Sequence, residues 1–133
     1  MPVIAKNASH QYSRIVVSDM DYSELPATAT WTEIFQLPAG AVPITGAMHV
    51  VTAFNPGTSL TAKYGPAASD AKYLAATSIA AAARTAAITQ NVANAGSEKV
   101  GVTLALVGAA PTAGRVIFWL EYILPDGQHE TVG

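Results

Sequence analysis

Three histidines, His10, His49 and His129, are the side chains in this chain best suited to proton transfer or metal binding near neutral pH. Their spacing places no two of them on one face. His49 falls on the more polar side of an alternating segment, which fits a solvated or interface histidine better than a metal ligand. Asp19-Met20-Asp21, with Glu24 close by, offers clustered oxygen donors of the kind calcium prefers. No twelve-residue ligand loop surrounds them, and Leu25-Pro26 follows directly, so a solvated loop is expected. Ser69-Asp70-Ala71-Lys72-Tyr73 hints at a small-molecule pocket, but Asp70 is expected to cap a turn through its side chain. There is no G-x-S-x-G nucleophile elbow. Gly40, Gly46 and Gly57 are too scattered for a phosphate-binding loop. Cysteine is absent, which removes disulfides, thiolate nucleophiles and thiolate zinc sites. No residue is assigned a catalytic role, no metal or cofactor site is expected, and the chain does not read as an enzyme.

What remains is a question of surfaces. The 133 residues suit one compact domain. Only 12% are Asp, Glu, Lys or Arg, against about 25% in an average soluble domain. The net charge is −2 and half of the residues are hydrophobic, many of them alanine. So few charges suit a protein that hides part of its surface against partners. No basic stripe or basic–aromatic interleaving suggests a nucleic-acid partner. The stretch from Leu74 to Ile88 is too short and too polar for a membrane span. Met1 to Ala8 lacks a charged region leading into an apolar one, so no secretory leader is expected.

Read with a period of two, the chain resolves into strands. From Ile44 to Phe54 the even positions form the more apolar face. From Lys99 to Leu106, Val100, Val102, Leu104 and Leu106 face one way. Thr30 to Leu37 places Trp31, Phe35 and Leu37 together, with Glu33 as the exception. Leu60, Ala62 and Tyr64 make a short alternating partner for the segment before Asn55. Ile15 to Ser18 is an early strand. Asn55, Pro56 and Gly57 form the turn of a hairpin, and Pro111 to Gly114 introduces the last strand.

These turns predict an all-β fold, an antiparallel β-sandwich or jelly roll. Met1 to Tyr12 shows no periodicity and reads as an extended arm. The arm and first strand occupy residues 1–24, and the sandwich domain residues 25–133. Ser78 to Ala87 (SIAAAARTAA) is the one helix-like segment, a short helix or turn over an edge of the sandwich.

The last strand, Arg115 to Leu124, is apolar on both sides. Val116, Phe118, Leu120, Tyr122 and Leu124 make one face; Ile117, Trp119 and Ile123 populate the other, beside Arg115 and Glu121. Such a strand is covered on both sides. Two covers are possible: a loop of the same chain, or another subunit packed on Trp119 and its neighbours, since aromatic residues favour interface cores.

The segments IFQLPAGAVPITGAMHVVTAFNPGTSLTAKYG, DAKYLAAT and VGVTLALVGAAPTAGRVIFWLEYI resemble a class of small virion proteins of tailed bacteriophages. The shared features are the LPAGA turn, the AFN-x-GT turn, the YLA segment and the PTAG turn before a strand ending in EY. The resemblance spans about residues 34 to 123. It implies a β-sandwich of the kind found in capsid decoration, or cement, proteins. As an expectation, that means a homotrimer on the outer capsid surface of the virion, bridging the major capsid protein. Ile117, Trp119 and Ile123 would then pack subunits together. Val3, Ile4 and Tyr12 of the arm would touch the capsid or a neighbour. The resemblance brings no catalytic residue. Two other readings stand beside it: a tail, neck or fibre-base protein of the same virion, and a carbohydrate-binding sandwich in which Trp31 or Trp119 stacks on a sugar.

Overall fold

The computed structural model describes residues 13–87 and 98–124. Within them lie eight strands: β1 (Arg14–Asp21), β2 (Thr32–Leu37), β3 (Val42–Thr52), β4 (Ser59–Pro66), β5 (Leu74–Ser78), β6 (Thr85–Ala87), β7 (Glu98–Val107) and β8 (Arg115–Ile123). They form two four-stranded antiparallel sheets, in the orders 1-8-3-6 and 2-7-4-5. β1 pairs with β8, β2 with β7, β3 with β6 and β4 with β5. The chain is therefore a long hairpin wrapped upon itself, and the contacts β3–β8 and β4–β7 close each sheet. This is the jelly-roll arrangement. β1, from the N-terminal segment, is hydrogen-bonded to β8 over its whole length.

The core lies between the sheets and follows the period-two pattern. Met48 and Val50 of β3, and Val116, Phe118 and Leu120 of β8, face Leu60, Ala62 and Tyr64 of β4 and Val100, Val102 and Leu104 of β7, all essentially buried. Tyr64 sits at the centre of an aromatic group. Its ring centroid is 5.0 Å from that of Phe118, 5.8 Å from Tyr73 and 5.9 Å from Phe35. Tilted and edge-on contacts of this kind add about 0.5–1.5 kcal/mol each beyond area burial. Burial pushes the Tyr64 phenol well above its usual range, with the nearby Tyr73 adding to the effect, so it stays neutral.

Two sequence expectations are corrected. Asn55-Pro56-Gly57 is not the tip of a hairpin. β3 and β4 lie in different sheets, and the turn is an arch between them. It is fastened to the β7–β8 connection instead. The Asn55 side-chain oxygen accepts from the amides of Thr112 (2.8 Å) and Ala113 (2.9 Å), and its amide group donates to the Thr112 hydroxyl (3.0 Å). Gly57 donates to the Ala109 carbonyl at 2.8 Å. Gly114, at φ 137°, has no room for a side chain because a Cβ there would overlap the Phe54 ring.

Of the two forms expected for Ser78 to Ala87, a helix does not form; a bent segment runs between two strands. Ser78 ends β5, and Thr85–Ala87 is β6, paired with Ala47, Met48 and His49. Ile79 explains the outcome. It is fully buried, donates to the Leu60 carbonyl and accepts from Phe54. A short alanine helix has no comparable apolar face to bury, so tertiary contacts override propensity. The described residues hold only two single-turn 3-10 segments, at Tyr22–Glu24 and Ala67–Ser69.

Bulges account for the remaining irregularities in the pattern. The register shifts between Glu33 and Phe35, so Glu33 faces outward while Phe35 packs on the core. Shifts between Pro43 and Thr45 and between Val50 and Thr52 likewise turn Ile44 and Thr52 outward.

Candidate assembly surface

The two outer faces of the sandwich differ in chemistry. On the 2-7-4-5 sheet the outward positions include Glu33, Gln36, Thr61, Lys63 and Lys99. Lys63 pairs with Asp70 at 3.0 Å, so Asp70 is engaged in an ion pair. Trp31 also lies on this side. Its ring covers Gly101, where a Cβ would overlap it, and its indole N–H donates to the Gly65 carbonyl at 2.9 Å. One side of that ring is thus committed to the sheet.

The outer face of the 1-8-3-6 sheet carries an apolar strip among polar residues, with Glu121 between Ile15 and Thr45 and with Asp19, Arg115 and His49 beside Ile117. β8 contributes Ile117, Trp119 and Ile123, all half-buried. The register places Val17 of β1 and Ala47 of β3 on either side of Trp119. Ile15 lies one pair further along β1 and, like Val17, is largely exposed, at 59% and 60%. Ile117 lies between Asp19 and His49. The three β8 residues singled out from the sequence therefore share one face, and no loop among the described residues covers Ile15 or Val17. Ile15 and Val17 are the part the sequence reading missed. Ile15-Val16-Val17 is apolar throughout, so alternation could not say which residues turn inward; Val16 and Met20 do.

Of the charged residues on this face, Asp19 and Arg115 pair with each other, and Glu121 lies between Ile15 and Thr45. Arg115 donates to Asp19 through Nε at 3.0 Å and through a terminal nitrogen at 2.6 Å. These hydrogen bonds, with the attraction of the guanidinium, hold the Asp19 carboxyl below its usual range. His49 shares a hydrogen bond of 2.5 Å with Thr85. Asp21 accepts from the Ser23 amide at 2.9 Å, and Glu24 accepts from the Asp21 amide at 2.9 Å, a reciprocal cap of the short turn after β1. The acidic cluster seen in the sequence is thus divided. Asp19 and Asp21 lie in a strand rather than a solvated loop, one engaged by Arg115 and the other in a cap. Among the described residues no group of three or more His, Asp or Glu side chains could hold a metal. His10, His129, Val3, Ile4 and Tyr12 lie outside the described residues.

No family model matches the chain. No curated protein matches it in sequence. Solved structures that share its fold include chains from three phage capsids. A chain in the cyanophage Pam1 capsid asymmetric unit superposes with a TM-score of 0.72 at 17% identity, covering 94% of each chain. A chain in the acidic stable capsid structure of Helicobacter pylori bacteriophage KHP30 gives 0.67 at 13%, covering 85% of this chain and 88% of that one. A chain in the capsid of Ralstonia phage GP4 gives 0.59 at 19%, covering 93% and 90%. Coverage from both sides means that the whole jelly roll is shared, not a fragment of it.

Proposed function

We propose that this protein is a non-enzymatic structural component of a tailed-bacteriophage virion, a decoration protein on the outer capsid surface that bridges major capsid protein subunits. The observation that carries the proposal is the asymmetry of the sandwich. One face is the more polar; the other presents a strip of Ile15, Val17, Ile117, Trp119 and Ile123. An apolar face beside a sheet edge is a hazard for a free monomer and a resource for an assembly. The whole-chain fold likeness to chains from three phage capsid structures supports the location. The fold alone does not dictate a role, and the resemblance of the turn motifs to cement proteins supports the narrower assignment and the homotrimer.

In this reading the apolar face joins one copy to the next, with Trp119 as its central anchor. The polar face stays in water. Each copy contributes modest contacts to the shell, and a trimer engages several capsid subunits at once. Its hold on the shell therefore exceeds that of any single contact. Quantitative mass spectrometry of purified virions tests the assignment. A copy number comparable to that of the major capsid protein is expected. A few copies per particle would move the protein to the tail, neck or fibre base, and its absence from the particle would end the virion reading.

A further inference from the structure

At the end of the sandwich where β1 and β7 finish and β4 begins, the sheets part around a cavity of about 260 Å³. Leu60 and Leu104, at 1% and 2% exposure, form its deepest surface. Leu25, Pro26 and Leu106 line it, and the Tyr22 ring, 42% exposed, lies at its mouth. The β1–β2 connection that frames it is held in place. Ala29 donates to the Leu104 carbonyl at 2.6 Å, and the Leu106 amide donates to the Thr28 hydroxyl at 2.9 Å. Ala29 adopts φ 62°, a conformation that costs a non-glycine residue energy and persists only under such restraint. The result is a preformed apolar slot that leads into the core.

An apolar cavity of about 150 Å³ accommodates benzene, so this one has room for two aliphatic side chains. The chain itself carries a fitting plug. Met1-Pro2-Val3-Ile4 is a run of four apolar residues followed by the short or polar Ala5-Lys6-Asn7-Ala8-Ser9. Residues 88–97 (ITQNVANAGS) and 125–133 (PDGQHETVG) contain no such run. Val3 and Ile4 stand ten and nine residues before Ser13, and an extended stretch of that length reaches about 30–35 Å. β1 carries its own root to the far end of the sandwich from the cavity, about 26 Å away for eight residues. To fill the chain's own slot, residues 3–12 would have to run back along the length of β1 at nearly full extension.

We propose that Val3 and Ile4 of one copy insert into the slot framed by Leu25, Pro26, Leu104 and Leu106 of a neighbouring copy, strapping subunits together. This rests on the reading that copies of the chain associate. The absence of cysteine makes a clean test possible. Full-length Val3→Cys is mixed with full-length Ala110→Cys, whose altered residue is exposed and lines the slot, and the mixture is mildly oxidised. A disulfide between the two chains is expected. None is expected between Val3→Cys and Thr61→Cys, on the polar face. Ala27→Cys, also at the slot, serves as the second probe should Ala110→Cys disturb its turn. If light scattering shows assembled copies and neither slot position cross-links, the docking proposal is wrong while association stands. A double Val3→Cys, Ala110→Cys chain that closes only on itself also overturns it, in favour of the chain's own arm. A chain that stays monomeric at every concentration removes both proposals.

Discussion

Phe118 and Trp119 are neighbours in the same strand, and they meet different worlds. Phe118 is fully buried and packs edge-on against Tyr64. Trp119 points the other way, half-buried between Val17 and Ala47 on the open face. The 2-7-4-5 sheet is more polar outside: Glu33, Gln36, Thr61, Lys63 and Lys99 alternate with its core positions, with Val107 an exposed apolar residue at its end. The contrast teaches that the apolar residues of this chain serve two ends. One set holds the two sheets together; the other lies outside the core, and the proposed interface assigns it to a partner.

The largest expected effect breaks the inner set. Phe118→Ala should lower folding stability by about 3–5 kcal/mol, read from denaturant unfolding of the monomer. Trp119→Asp should do the opposite in kind. It should leave the far-ultraviolet dichroism of a folded sandwich and weaken self-association by about 2–4 kcal/mol, roughly 30- to 1,000-fold, read by light scattering across a dilution series. Thr61→Asp, on the polar face, is the control and should change neither quantity. Self-association unchanged in Trp119→Asp would remove β8 from the proposed interface.

A smaller effect concerns the joint between the sheets. Asn55 ties the β3–β4 arch to the β7–β8 connection through three hydrogen bonds. Asn55→Ala leaves the Thr112 and Ala113 amides without their acceptor and should cost about 1–2 kcal/mol. Asn55→Asp keeps the acceptor and should cost less. Equal losses in the two variants would mean that the oxygen is not what fastens the arch.

This joint also marks where the sequence stopped being legible. Alternation located every long strand and most of the core, because Val100, Val102 and Leu104, or Val116, Phe118 and Leu120, can be buried on one face only. Turn residues, however, are the same for a hairpin and for an arch between sheets. Asn-Pro-Gly gave no sign that β3 and β4 part company. Bulges hide for a similar reason. One extra residue near Ile34 or Ile44 reverses the pattern without altering composition, which is why Glu33 looked like an exception and Ile44 looked like core. The outer face was half legible. Ile117, Trp119 and Ile123 stood out because the rest of β8 already accounted for the core. Ile15 and Val17 did not, since their partner across the strand is known only once β1 is laid beside β8.

The smallest effect lies at the border of the apolar face, where Arg115 holds Asp19. Both side chains are well exposed, and exposed pairs contribute little. The sign is nonetheless fixed. Asp19 has a folded-state pKa below its unfolded value, the hydrogen bonds from Arg115 being the largest cause. Its contribution is complete above the unfolded value of about 3.9 and is lost as the pH falls through the folded one. Asp19→Asn should therefore melt slightly below the parent chain at neutral pH, and the difference should close in strong acid. A gap of the same size at both extremes would mean that the pair is not its source. The same variant also sharpens the comparison between faces. Asp19 lies opposite Ile117 in the register. If a neighbouring copy covers this face, the pair loses its solvent screening, and the substitution should weaken association more than it lowers the melting of the separated chain. Equal and small effects on both would place the Asp19 border outside the contact and confine the interface to the strip around Trp119.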